Sequence, residues 1–168
     1  MDVILIRHAE AGERDPNSWP DDAQRPVTPD GRRKQVAAAQ AMQKLGFEFD
    51  FLVTSPLVRA RQTAEIIAEV YGWKEPPLSD DVLGSGCTPA AIVKLLAKFP
   101  PGSSVALVGH EPAFSKVAAA LIGRSGDAQL RLKKSGVIGV AFDGPAELGR
   151  GLLEFLWRPG QLRKAGKR

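Results

Sequence analysis

The chain has one cysteine, Cys87, among 168 residues. A single thiol cannot close an internal disulfide, so the fold must rest on its core, and a reducing compartment suits it. Long apolar runs are also missing. The first run, Val3 to Ile6, is far too short to cross a bilayer or to form a signal-peptide core, and Asp2 stands where a signal peptide is basic. A cytoplasmic protein without a membrane partner is expected. Several signatures of chemistry are absent too. No G-x-x-x-x-G-K-[ST] string offers a phosphate-cradling loop. Gly84-Ser85-Gly86 starts like a dinucleotide fingerprint, but position 89 is Pro89. Cys87 cannot open a C-x5-R phosphatase motif, because position 93 is Val93; it reads as a small, partly buried residue. Two histidines, with no H-E-x-x-H and no paired cysteines, make a poor zinc site, so neither metal nor cofactor is expected.

Charge of one sign is lacking only locally. The net charge is +4, but Arg158, Arg163, Lys164, Lys167 and Arg168 cluster at the end without an acid. Without those five, 18 basic residues face 19 acidic ones, and the body carries −1. A domain over 1–157 with a basic tail over 158–168 is the expected organisation. Such a tail can touch nucleic acid or an acidic partner, but a solvated, frayed terminus is the plainer expectation.

Val3 to Ile6, Phe51 to Val53 and Val105 to Val108 are continuous apolar runs, as strands buried on both faces show. Thr28-Pro29, Ser55-Pro56 and Thr88-Pro89 each read as an N-cap followed by a proline that opens a helix. Val36, Ala39, Met42 and Leu45 give the first helix its predicted buried face, and Gly46 its stop. The second helix should stop at Gly72. The third should bury Ile92, Leu95, Leu96 and Phe99. Pro112 should start a fourth helix. Later, Leu130 to Leu132, Gly136 to Phe142 and Leu152 to Trp157 look like strands. The order implies an α/β three-layer sandwich: a mostly parallel central sheet with helices on both faces and late antiparallel strands.

On that frame the histidines acquire meaning. Arg7 and His8 follow the first strand, Arg59 enters the helix after the second, and His110 follows the strand at Val105 to Val108. Ligands of open α/β sheets bind beyond the carboxyl ends of the strands, so three motifs converge on one crevice. Helix N-termini near Pro56 and Pro112 suit an anion, and arginine suits planar contact with a phosphoryl group. A strand-end histidine alone would mean little; the four side chains together mean more. Arg61, next to Arg59, reads as an exposed helix residue. Glu10 and Glu111 flank the histidines, where local structural use is as good a reading as substrate contact.

These motifs resemble those of the histidine phosphatase (phosphoglycerate mutase-like) superfamily. Arg7-His8-Ala9 is similar to its Arg-His-Gly signature with alanine for glycine, Ser55-Pro56-Leu57-x-Arg59-Ala60-x-Gln62-Thr63-Ala64 to its second-arginine motif, and Val108-Gly109-His110 to its second-histidine motif. Short length and Gly109-His110-Glu111-Pro112 look most like the small SixA-type phosphohistidine phosphatases. The resemblance implies His8 as nucleophile, carrying a transient phosphohistidine. It implies Arg7, Arg59, His110 and Gly109 as substrate-binding, with Arg7, Arg59 and His110 stabilising the transition state without metal.

An ester substrate also needs a general acid, since an alkoxide leaves poorly without a proton. Asp80 and Asp81 could fill that role, though turn chemistry explains both equally well. A phosphohistidine substrate needs no such acid. The expected function is therefore a SixA-like phosphohydrolase acting on a phosphohistidine-bearing protein, from a phosphorelay or phosphotransferase system for instance, and releasing inorganic phosphate. The alternatives are a small-molecule phosphomonoesterase and a non-catalytic sensor of a phosphorylated ligand. Nucleic-acid binding through the tail has little support.

Overall fold

The computed structural model describes residues 1–123 and 129–167. Its six-stranded sheet has the order β3-β2-β4-β1-β5-β6. The strands are β1 (Asp2–Arg7), β2 (Phe51–Thr54), β3 (Leu78–Ser79), β4 (Ser104–Gly109), β5 (Val137–Ala141) and β6 (Leu152–Trp157). β1, β2, β3 and β4 run parallel, while β5 is antiparallel to both of its neighbours. The helices are α1 (Pro29–Lys44), α2 (Val58–Tyr71), α3 (Pro89–Leu96), α4 (Ala113–Ile122) and α5 (Pro159–Ala165). No helix among the described residues is long and apolar enough to cross a membrane.

Alternation along the strands divides the core into two layers. In β1, Val3 and Leu5 face one layer with Ile92, Leu95, Phe114 and Val117 of α3 and α4. Ile4 and Ile6 face the other, with Met42, Ala60, Ile67 and Leu162 of α1, α2 and α5. Side chains on a strand point to opposite faces with period two, so a sheet buried on both sides needs an unbroken apolar run. That is why the expected α/β three-layer sandwich holds.

The helix signals hold in part. Thr28 caps α1 by accepting from Gly31 N–H at 2.9 Å, and Thr88 caps α3 by accepting from Ala91 N–H at 3.2 Å. Gly46 and Gly72 take φ of 75° and 71° just past α1 and α2, a left-handed conformation that glycine adopts without steric cost. Ser55-Pro56 does not repeat the pattern. α2 begins at Val58 after Leu57, with no side-chain cap, and Ser55 serves the site instead. The buried face of α1 is also rotated from the predicted one: Gln35, Ala38, Ala39, Ala41 and Met42 are buried, Val36 is half-buried and Leu45 exposed. Small residues let α1 lie close to α2 and α5, and that packing overrides the apolar spacing.

Three further expectations need correction. Leu130 to Leu132 form no strand. Leu132 is buried, but its N–H donates to Ser115 Oγ at 3.3 Å and its C=O accepts from Arg7 Nη1 at 3.0 Å, so side chains satisfy the backbone that a ladder would have used. Gly136 to Phe142 shortens to Val137–Ala141. The basic end is not frayed over Pro159–Ala165: α5 folds back on α1, Leu162 is fully buried, and a Cβ on Gly166 would lie 2.5 Å from Ala41 Cβ. Arg168 lies outside the described residues. The short β3 and a 3-10 turn at Asp22–Gln24 carried no sequence signal.

Candidate active site

The parallel strands β1, β2 and β4 end on the same side of the sheet, and the predicted reactive residues follow those ends. Arg7 closes β1, in register with Gly109 of β4, and His8 N–H donates to Gly109 C=O at 2.9 Å. Ser135, at φ 57°, turns its N–H onto the Arg7 carbonyl at 3.1 Å, and Arg7 N–H donates to Gly136 C=O at 3.2 Å. The Arg7-His8 backbone is thereby clamped from both neighbouring strands. Arg7, His8, Arg59 and His110 line one cavity of about 520 Å³. The two imidazoles stand with ring centroids 5.1 Å apart.

Each side chain is held from behind. His8 Nδ1 lies 2.7 Å from the Ala9 carbonyl, which can only accept, so Nδ1 carries the proton and Nε2 keeps its lone pair. Ala9 N–H donates to Thr63 Oγ1 at 2.9 Å, and that hydroxyl donates to the Arg59 carbonyl at 2.6 Å. One turn of α2 thus supports both His8 and Arg59. Ser55 Oγ lies 2.9 Å from His110 Nε2. Arg59 donates from Nη1 to the Asp22 carbonyl at 2.7 Å and pairs through Nη2 with the Asp22 carboxylate at 3.1 Å.

Burial, followed by the second imidazole and the Arg59 and Arg7 charges, pushes the His8 pKa down to about 3, against the pull of the Ala9 carbonyl. Burial and then the Arg59 charge push His110 down to about 4. Both rings are therefore neutral at physiological pH. Burial also lowers Arg7 and Arg59, offset by Glu111 and Asp22 respectively, from values so high that both stay charged. Arg7 Nε, Arg59 Nε and His110 Nδ1 are buried with no protein partner. A buried polar atom without a partner costs free energy, so this donor capacity fits an anion.

Two predicted residues do not join the cavity. Asp80 accepts from Val82 N–H at 3.0 Å and pairs with Lys98 at 3.2 Å, and Asp81 is exposed at the start of the turn that follows. Turn chemistry accounts for both, and neither lines the cavity. Gly109 also sits behind the lining. Its missing Cβ makes room for Phe114, whose ring would come within 2.4 Å of one, so the geometry gives it packing and backbone work, not substrate contact. Arg61 is exposed and pairs with Glu65 at 3.6 Å. Glu10 pairs with Lys34 at 2.9 Å, and Glu111 accepts from Ser115 Oγ at 2.6 Å; both line the cavity while doing structural work. Cys87 is half-buried, with burial pushing its thiol up to about 11.

Sequence reasoning missed the loop that closes the other wall. Asp22, Arg14 and Arg25 all line the cavity. The loop is tied down by Gln62, whose Oε1 accepts from Val27 N–H at 2.8 Å. Asp22 and Arg25 form an ion pair at 2.9 Å, but their spacing of three was no usable signal, since Asp30 and Arg33 share it outside the cavity.

The chain as a whole has relatives. The profile of the histidine phosphatase superfamily (branch 1) matches residues 3–83, and an uncharacterized protein of Picosynechococcus sp. is 35% identical over 142 residues, 83% of this chain and 84% of that one. The chain belongs to the histidine phosphatase superfamily. It is a phosphatase on that membership. Its fold matches that of the protein histidine phosphatase SixA complexed with tungstate, with a TM-score of 0.74 and 23% identity over 96% of this chain and 99% of that one. It also matches a phosphoserine phosphatase variant from Entamoeba histolytica in complex with phosphoserine, with a TM-score of 0.64 and 17% identity over 96% and 98%. The match to that fold thus covers 96% of this chain.

Proposed function

We propose that this chain is a cytoplasmic, metal-independent phosphohydrolase that removes the phosphoryl group from phosphohistidine on a protein, through a phosphohistidine intermediate on His8. The observation that carries this reading is the held tautomer of a buried, neutral His8, with Nδ1 committed to the Ala9 carbonyl and Nε2 left to attack. In the first step His8 Nε2 forms a bond to phosphorus as the substrate P–N bond breaks. The substrate imidazole departs with the electron pair, already protonated on its other nitrogen, so it leaves neutral. Arg7, Arg59 and His110 hold the phosphoryl oxygens and stabilise the spreading charge. Water then attacks phospho-His8 and releases phosphate, returning the same neutral ring. The bond made in the first step is of the same kind as the bond broken, so transfer is close to thermoneutral and no proton donor is required. That agrees with Asp80 and Asp81 lying away from the cavity.

A second reading, a small-molecule phosphomonoesterase, is favoured by one observation: Glu111 lines the cavity beside His110 and could protonate an alkoxide. The likeness to a phosphoserine phosphatase points the same way. The decisive experiment pairs one phosphohistidine peptide with one alkyl phosphate, using wild-type enzyme and His8→Ala. The proposal expects faster turnover of the phosphohistidine, a phosphoryl group on His8 by mass spectrometry under acid-free conditions, and loss of turnover in the variant with its melting temperature retained. Faster ester turnover would make the monoesterase reading correct. Binding of both compounds with turnover of neither would make the protein a sensor.

A further inference from the structure

A second recess lies outside the cavity. A groove of about 510 Å³ runs between α1 and α5, and Arg33, Lys34, Arg163, Lys164 and Lys167 line it without any carboxylate residue. Asp30 engages Arg33, and Asp30 and Glu10 engage Lys34. Arg163, Lys164 and Lys167 have no carboxylate within 4.0 Å among the described residues. The helix dipole favours cations in the last turn of α5, which covers Arg163 and Lys164. It does not account for Lys167 beyond the helix.

The groove is connected to the cavity. A smaller cleft of about 160 Å³ shares Lys34 and Arg163 with the groove, and Glu10 and Lys134 with the cavity. Lys134 is exposed on the segment before β5 and also has no carboxylate within 4.0 Å among the described residues. A track of positive charge therefore leads from the phosphoryl site over α1 to the end of α5. The track is rigid at its far end, because Leu162 is buried beneath it and Gly166 packs on Ala41.

We propose that this track docks an acidic surface of the phosphoprotein whose phosphohistidine enters the cavity. This rests on the phosphohistidine reading above. Charge complementarity and continuity with the cavity choose the partner. A single-stranded nucleic acid would use aromatic side chains for stacking, and the groove has none; a duplex is an outcome that the test below separates. The track makes a protein substrate faster than free phosphohistidine by raising encounter and retention, an effect that salt screens.

The test uses free phosphohistidine and two phosphohistidine peptides, each with eight flanking residues on either side. One carries aspartate and glutamate flanks, the other serine and glycine. Each flank reaches about 26 Å when extended, enough to leave the cavity. In the full chain, R163Q/K164Q/K167Q should lower kcat/KM for the acidic peptide by about tenfold at low salt. It should leave the neutral peptide and free phosphohistidine within about twofold, and 0.5 M salt should erase the difference. R163E/K164E/K167E should lower the acidic peptide further. Equal losses on all three substrates, or no loss on the acidic one, would overturn the docking surface. So would weakened binding of a DNA duplex with acidic-peptide turnover unchanged. Anisotropy with a labelled, unphosphorylated acidic peptide separates the two readings. If the wild-type enzyme hydrolyses no phosphohistidine, the function fails, while the surface stands or falls on whether the variants weaken that binding.

Discussion

The parallel and antiparallel halves of this sheet differ in packing and in work: β1, β2 and β4 are buried along most of their length, whereas β6 buries none of its residues. β1, β2 and β4 lead into His8, Ser55 and His110, and α2 presents Arg59 next to them. β5 and β6 send no side chain of their own into the cavity. Direction explains the contrast. Parallel neighbours deliver all their carboxyl ends to one edge, so side chains from distant sequence positions meet there. An antiparallel strand presents its other end, and what β5 offers at its start is backbone: the Gly136 carbonyl to Arg7, and the turn at Ser135 that grips the Arg7 and His8 carbonyls. One half carries the candidate reactive side chains and the other holds their backbone in place.

The most forceful way to break this comparison is to remove a guanidinium from the parallel edge. Arg59→Ala and Arg7→Ala should each lower kcat/KM by about a hundredfold or more, the scale of losing one transition-state donor in a dry site. Arg59→Lys should recover little, because an ammonium cannot make planar two-point contact. Arg61→Ala should be nearly silent, since its side chain pairs with Glu65 outside the cavity. Steady-state kinetics with an aryl phosphate reads all four. Should Arg61→Ala prove worse than Arg59→Ala, the assignment within α2 is wrong.

The opposite result is expected from the far half. Leu162→Ala should cost about 2 kcal/mol or more of stability, because it empties a fully buried site between α5 and α1. Turnover of a small phosphate by the folded variant should stay within about twofold. Denaturant unfolding and kinetics on the same preparation test it; loss of kcat with stability retained would mean that α5 reaches the site.

The two halves were not equally legible. Arg7, His8, Arg59 and His110 could be found because each lies in a short motif at the end of an apolar run, and parallel topology does the rest. Thr28 and Thr88 were legible as caps because a side-chain oxygen followed by proline is a local signal. Ser55-Pro56 carries the same signal, but the His110 ring competes for the Ser55 hydroxyl, and no local pattern records a partner 55 residues away. Asp22 was invisible for the same reason: its partner Arg59 is 37 residues on. Leu162 was hidden because one apolar residue in a basic stretch has no period, and the small residues of α1 that receive it look like surface.

A finer contrast lies in acid lability. His8 and His110 have folded-state values of about 3 and 4, below the ordinary 6.5 of an unfolded chain. The unfolded state takes up protons first as pH falls. The contribution of these rings to stability is thus complete above about pH 6.5 and is lost progressively on acidification toward the folded values. Between pH 6.5 and 5 most carboxylates stay ionised, so the slope reports mainly the imidazoles. Unfolding free energy there should fall with a slope of up to about two protons, and His8→Gln/His110→Gln should flatten it. An unchanged slope in that variant would place the lability elsewhere.

The smallest expected effect tests where the cavity ends. Asp80 sits just past β3, and its N–H donates to Thr54 C=O at 3.0 Å, yet its carboxylate turns to Val82 N–H and Lys98. Asparagine caps as well as aspartate, so Asp80→Asn keeps the cap and loses only a surface ion pair, worth about 0.5 kcal/mol or less. Asp81→Asn touches an exposed side chain. Both variants should therefore hydrolyse phosphohistidine and an alkyl phosphate at rates within about twofold of wild type. The paired assay distinguishes three ways of being wrong. Loss of ester hydrolysis alone would make one aspartate the proton donor to an alkoxide. Loss of both activities in a folded variant would mean that the acid serves the common second step. A large loss of stability without loss of rate would mean that the turn after β3 braces the parallel edge much as Ser135 and Gly136 brace Arg7, extending the division between chemistry and support to the other end of the sheet.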